Sequence, residues 1–542
     1  MNLKDYLSQK LNQALTELDL PSVDFQLAPT KNPQFGDLST NLALILAKQA
    51  KQNPIELANK LKSELDLDNS FVREVSVTPP GFINFTFSNH YLFEALNDVL
   101  NKGVDYGKSD MGTGQSANVE FVSANPTGPL TVGHGRQSVL GDTVGNILQW
   151  HGYDVTREYY YNDAGRQMRI LGQSVAARYF QELGKDIALP EDGYQGSYIK
   201  DIAKSIIVDH GQELTEESPL FRELAEKTIF SDISESLKQL GIKHDQFTNE
   251  KTFYESGALD DIVESLKKKD LVYESEGASW FRTTALGKEQ DRVLIKSSGE
   301  PTYRLPDIAY HRNKLDRKFD LVVDIFGADH QDTYPDVLSA LEALDYDVSS
   351  IRVLIHQFVT LIRSGEVVKM STRKANFVTL DELTNLVGKD VVRYFFIMRG
   401  MNSHLNFDLD LAQDQSEKNP VYYLQYAHAR IVNILKHGEH LDFEYSTDFN
   451  AGRLTHDSEL TLLKSISEFP DIMAMALKSL EPQLIANYLH GLAGHFHRFY
   501  SDCRVITEDK ELSQARLALI FGTKTVIANG LSILGVNAPD RM

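Results

Sequence analysis

Apolar residues along this chain change their spacing twice, and each change marks a different kind of structure. The N-terminal stretch runs at helical spacing and ends in "REVSVTPPGFINFTFS". That tail alternates around a Pro-Pro-Gly turn, the pattern of two strands in a hairpin. In its second half Ile83, Phe85 and Phe87 share one apolar face, while Phe82, Asn84 and Thr86 share the other. A small α+β domain is expected over 1–112. Over 113–385, the short apolar runs "NVEFVSA", "VTREYYY", "DLVVDIFG" and "IRVLIHQFV" alternate with helical stretches. That order predicts βαβ units around a parallel sheet. A more polar part around 170–290 reads as an insertion in the sheet domain. Residues 386–542 read as all-helical, with "VYYLQYAHARIVNIL" the clearest amphipathic run.

Composition narrows the class of protein. Hydrophobic content of 42% and charged content of 24% are ordinary for a soluble globular chain. The opening "MNLKDYLSQK" lacks the apolar core of a secretory signal. No apolar run reaches the roughly 18 residues of a membrane span. Cys503 is the only cysteine, which excludes an internal disulfide and a cysteine-rich zinc site. A cytoplasmic setting is expected, and no tightly bound metal. A net charge of -21 argues against nucleic acid as partner. The average hides a local exception: between Ile355 and Gly400, seven Lys and Arg face four Asp and Glu.

Candidate chemistry begins with "GPLTVGHGRQ", residues 128–137. It follows the strand "ANVEFVSA" and precedes Val139, Leu140, Val144, Ile147 and Leu148 at helical spacing. The loop therefore lies at the C-terminal end of a strand, where open α/β sheets bind ligands. The helix N-terminus behind it suits a phosphate. Gly133 and Gly135 clear space for a base or phosphate, and His134 can donate to a phosphate oxygen. On its own this is equally a glycine-rich turn with a capping histidine. A second loop, "GEVVKMSTRKANFV", residues 365–378, follows the last strand of the same sheet and carries Lys369, Arg373 and Lys374. Two phosphate-binding loops on the halves of a doubly wound sheet describe a nucleotide site.

"TVGH" and "KMSTR" are similar to the two signature loops of class I aminoacyl-tRNA synthetases. "VEFVSANPTGPLTVGHGR", "YYYNDAGRQM", "PTYRLPDIAYH", "HQFVTLIRSGEVVKMSTRK", "SHLNFDLDLA", "NPVYYLQYAHARI" and "LGVNAPDRM" resemble the arginyl-tRNA synthetases in order and spacing. Two positions depart from the usual loops: Thr131 replaces a histidine and Thr372 a lysine.

The resemblance implies an α/β, Rossmann-type catalytic domain with insertions, an N-terminal domain reading the tRNA D-loop, and a helical anticodon-binding domain. It implies arginine activation by ATP with Mg²⁺, then transfer to the terminal ribose of the tRNA for arginine, by a monomer. Arginine, ATP and that tRNA are the implied partners. His134 and Lys369 would stabilise phosphate charge. Thr131, Gly133, Gly327, Asp329, Met370 and Ser371 would complete the ATP site. Glu120, Asn125, Tyr303, Asp307 and Gln331 would hold arginine, and Phe82 and Asn84 would meet the D-loop.

Blander readings stand beside several of these. Asp307 suits a helix cap after Pro306, Asp329 a strand-end turn, Phe82 an edge strand, and the Tyr-rich helical stripe a core. Glu120 is harder to explain away, because a carboxylate in an apolar strand needs a partner. A tRNA-binding paralogue with a decayed site, or another nucleotidyl transferase, would each leave part of the pattern unexplained.

Overall fold

The computed structural model describes all residues except 1, 2, 31, 164, 369–377, 442, 444 and 445. The N-terminal part is a four-stranded antiparallel sheet in the order β1 (Leu27–Pro29), β2 (Leu38–Thr40), β4 (Phe82–Phe87) and β3 (Val72–Thr78). Ile83, Phe85 and Phe87 point into the core as the alternation predicts. The opposite face is less open than expected. Phe82 is 36% exposed, but Asn84 is only 3% exposed and its amide donates to Thr78 Oγ1 at 3.0 Å. Asn84 sits on a central strand with neighbours on both sides, so its polar group is spent within the sheet.

The central sheet is fully parallel, in the order β9 (Ile351–His356), β8 (Leu321–Gly327), β5 (Ser116–Glu120), β6 (Asp154–Tyr161) and β7 (Gln246–Asn249). The stretch read as an insertion contains β7, which pairs with β6 from Glu158↔Gln246 to Tyr161↔Asn249. Its sequence, QFTN, is too short and polar to announce a strand. On either side lie three helices (165–182, 197–210 and 220–239) and a small antiparallel sheet over 272–295.

Helix α1 (Val132–Trp150) crosses from β5 to β6 and is buried along most of its length. Helix α2 (Arg304–Asp316) precedes β8. A hairpin of β10 (Val359–Arg363) and β11 (Glu366–Val367) leads to residue 369, and β12 (Leu405–Asp408) pairs with β10 from beyond the expected sheet region.

Helices α3 (Lys389–Ile397), α4 (Pro420–Glu439), α5 (Asp457–Ser479), α6 (Gln483–Asp502) and α7 (Lys510–Ile533) form the C-terminal part. Two polar clamps fix it to the catalytic sheet. Arg393 is buried, binds Asp142 of α1 at 2.6 Å, and donates to the carbonyls of Leu534 and Leu240. Asn146 of α1 donates to Ile533 O at 3.0 Å. The N-terminal domain in turn rests on the helical part, through Lys4–Asp471 at 2.9 Å and Lys464–Asp37 at 2.6 Å. No helix among the described residues is long and apolar enough to cross a membrane.

Candidate functional site

Every candidate group of the sheet domain that the structure describes lies at or next to the C-terminal end of a strand or the first turn of a following helix. Asp324, Glu120 and Glu158 stand in one register row across β8, β5 and β6. Strands lie about 4.8 Å apart, so three carboxylates in a row repel unless cations intervene. Helix α2 supplies them. Lys314 is fully buried and bonds both Glu120 Oε2 and Asp324 Oδ1, the latter at 2.5 Å. Arg317 donates to Glu158 Oε2 at 2.7 Å. His311 Nε2 meets Asp324 Oδ2 at 3.1 Å, while its Nδ1 meets the carbonyl of Asp307 at 2.8 Å.

Burial works against the charges of Lys314, His311 and Asp324, and the pairing outweighs it. Lys314 and His311 therefore titrate higher than usual, and Asp324 well below the usual carboxylate range. Glu120 accepts a further hydrogen bond from Ser123 Oγ at 2.8 Å. The chain turns there through positive φ at Val122 (70°) and Ser123 (44°). Positive φ is costly for a β-branched residue, and strain of this kind gathers at functional sites.

Asp307 heads the same helix, one turn before His311. Burial, with Glu250 and Glu120 nearby, pushes its carboxyl up to about 7, against the pull of His311. Glu250, just after β7, is raised by burial too, and accepts from Asn162 Nδ2 (2.6 Å), Tyr160 (3.1 Å) and Tyr254 (3.3 Å). The rings of Tyr160 and Tyr310 stack at 4.0 Å beside these acids. Asn125 accepts from Asn162 N at 3.0 Å and donates to Gln167 at 3.1 Å. Tyr303 precedes the helix with its residue 73% exposed, a ring at the mouth rather than packed inside. Gln331 is exposed beyond β8.

The loop at α1 is held by a capping box. Thr131 is the N-cap, and its N–H donates to His134 Nδ1 at 3.2 Å. That nitrogen is therefore the acceptor, and Nε2 carries the proton. Burial lowers the His134 pKa, so the ring is a neutral donor at neutral pH. A Cβ on Gly133 would meet only Thr131 Oγ1 at 3.6 Å, whereas one on Gly135 would lie 2.5 Å from Leu380. Gly135 thus serves helix packing and not ligand access.

Gly327 ends β8 beside His356 of β9, with Asp329 exposed just beyond. Lys369, Met370 and Ser371 lie outside the described residues. The flanking chain returns to the same place: Thr379 pairs with Thr131, and Leu380 N donates to Leu130 O at 2.9 Å.

Sequence reading missed Lys314, Asp324, His311 and Glu250. Asp307, His311 and Lys314 follow at i, i+4 and i+7, one helix face, which is a legible signal. Asp324, like Glu120, is a carboxylate in an apolar strand.

A second site lies in the helical part. A cleft of about 670 Å³ is lined by Tyr426, Arg430, His437, Tyr500, Arg504 and Met542, among others. The Arg430 guanidinium lies 5.3 Å from the Tyr426 ring and 4.5 Å from the Tyr500 ring. The aromatic stripe of α4 is thus partly a cleft wall.

Removing the partner of two buried carboxylates should destabilise strongly. Lys314→Met is expected to cost about 3–5 kcal/mol near pH 8, read from denaturant midpoints. The deficit should shrink toward pH 5, as the stranded carboxyls take up protons. A deficit that is absent or independent of pH would mean that the ion pairs do not organise this site.

Comparison with known proteins matches the chain in three parts. Residues 1–87 match the arginyl tRNA synthetase N terminal domain, 95–394 the class I tRNA synthetase (R) catalytic domain, and 424–542 the DALR anticodon binding domain. The arginine--tRNA ligase of Salinibacter ruber is 48% identical, with 100% of both chains covered. That of Desulfotalea psychrophila is 52% identical, covering 94% of this chain and 93% of its own. The fold matches that of Thermus thermophilus arginyl-tRNA synthetase with a TM-score of 0.78, at 22% identity over 100% of both chains. Matched along its whole length, the chain belongs to the class I arginyl-tRNA synthetases.

Proposed function

We propose how the residues of this chain divide the work of joining arginine to its tRNA at the expense of ATP. Two steps are required. The arginine carboxylate attacks the α-phosphorus of ATP and pyrophosphate leaves. A hydroxyl of the tRNA terminal ribose then attacks the adenylate carbonyl and AMP leaves. Neither step needs a protein nucleophile, so the protein acts by positioning and charge stabilisation.

Asp307 and Glu250 take the arginine guanidinium, with Glu120 behind them already charge-balanced by Lys314. A planar cation is best held by carboxylates. Asn125 and Gln331 orient the amino-acid end, and Tyr303 closes over it. His134 donates its Nε2 proton to a phosphate oxygen. Thr131 shapes the loop, and Gly133 leaves room for the nucleotide. Lys369, Met370 and Ser371 complete the phosphate site, and Gly327 and Asp329 border the ribose.

Mg²⁺ comes bound to the ATP phosphates, where it neutralises charge. Among the described residues the one cluster with metal-ligand geometry is Glu120, His311 and Asp324, and Lys314 already serves as its cation. The Arg430 cleft meets the anticodon loop, and the exposed Phe82 at the start of β4 meets the D-loop, with buried Asn84 supporting it. The enzyme works as a cytoplasmic monomer. What supports the arginine assignment most is Asp307, a carboxyl raised to about 7 beside two other acids and facing no cation of its own at contact distance.

His134→Ala should slow arginyl-adenylate formation by about 10²–10³ with arginine affinity little changed, in single-turnover assays. An unchanged rate would detach this loop from the phosphates. Asp307→Asn should raise the arginine KM by an amount worth roughly 2–5 kcal/mol and spare the ATP KM. Equal rises in both would make Asp307 a structural residue.

A further inference from the structure

Four Lys or Arg residues are buried among the described residues: Arg136, Arg157, Lys314 and Arg393. Three have a carboxylate. Lys314 has Glu120 and Asp324, and Asp142 serves both Arg157 (3.2 Å) and Arg393 (2.6 Å). Arg136, with no exposed surface, has none among the described residues. Its guanidinium donates only to backbone carbonyls, Gln357 O at 2.7 Å, Gly400 O at 3.0 Å and Ser403 O at 3.1 Å. Its Nε finds no partner among the described residues. The stretch 369–377, KMSTRKANF, contains no acid that would supply one.

A buried cation without a counter-ion is expensive, and such groups persist where a ligand completes them. Burial draws the Arg136 pKa down to about 10, so the group stays charged at neutral pH. It sits on α1 two residues after His134. His356, at the end of β9, feels the charges of Arg136, Asp329 and His134 together. The guanidinium thus lies behind the junction of β8, β9 and the α1 N-terminus.

Its carbonyl partners matter as well. Gln357 lies between β9 and β10, and Gly400 and Ser403 precede β12, the parallel partner of β10. One side chain therefore ties α1 to the base of the hairpin that runs to Lys369.

We infer that the missing counter-charge is the triphosphate of ATP, and that Arg136 is a positioning residue of the nucleotide site. It acts through its field and through the base of the β10–β11 hairpin, without touching the nucleotide. This rests on the nucleotide reading of the His134 loop given above.

The test is a charge series, with adenosine, AMP and ATP binding measured by calorimetry. Arg136→Gln should weaken ATP by about tenfold or more while leaving adenosine nearly unchanged, with AMP between. Arg136→Lys, which keeps the charge, should restore most of the ATP affinity. Should the Gln protein not fold, Ser403→Asp serves, because residue 403 is exposed and its carbonyl bonds the guanidinium. An added acid there should lower the ratio of ATP to adenosine affinity. Equal losses for ATP and adenosine in Arg136→Gln, a Lys variant no better than Gln, or an unmoved ratio in Ser403→Asp would each overturn the inference. His134→Ala in the same series separates the two failures. ATP loss there alone removes the role of Arg136, and no loss in any variant removes the nucleotide site itself.

Discussion

Three carboxylates, Asp324, Glu120 and Glu158, stand side by side in the interior of a parallel sheet, and the site is organised by what neutralises them. At strand spacing their mutual repulsion in a low-dielectric interior exceeds anything local packing offsets. Helix α2 answers with Lys314, Arg317 and His311 on successive turns. Once those bonds form, the helix has one rotation and one height over the sheet. Asp307 in its first turn is then carried beside Glu250 and Glu120 without any contact of its own having to place it.

The arrangement leaves an uneven distribution of charge. Glu120 is satisfied by Lys314 and Ser123, so its charge is balanced and its position fixed. Asp307 meets two further acids and no cation at bonding distance, and its carboxyl rises to about 7. Glu120 holds the helix through Lys314, while Asp307, in the reading proposed above, is left for a cationic ligand. Arg136 shows the opposite sign of the same imbalance, a buried cation with no carboxylate among the described residues.

The sequence revealed those parts of the molecule that short-range pattern controls. The βαβ unit around "GPLTVGHGR" and the alternation of Ile83, Phe85 and Phe87 follow from local periodicity, and both are present. QFTN has no local strand signal and LNFD alternates over only four residues, so pairing with neighbours defines both strands. Glu120 was recognisable as a carboxylate needing a partner, but the partner lies 194 residues away, so only the fold identifies it. Asn84 shows the opposite failure. Alternation assigns it to the outer face, and central-strand crowding then buries it. Gly135 looked like ligand clearance and is a close helix contact with Leu380.

The central claim is that an unpaired Asp307 carboxyl receives the guanidinium, and citrulline, the neutral isostere of arginine, tests it directly. Below about pH 7 a raised carboxyl is protonated and neutral, and above it the group is charged. Arginine binding should favour the charged form and citrulline should be indifferent. With tRNA present, the ratio of arginine to citrulline affinity should therefore fall about tenfold between pH 8 and pH 6. Both ligands share the α-amino and carboxylate groups, so titrations around those groups cancel in the ratio, which reports the carboxyls that face the guanidinium. A ratio constant across that range would contradict the account.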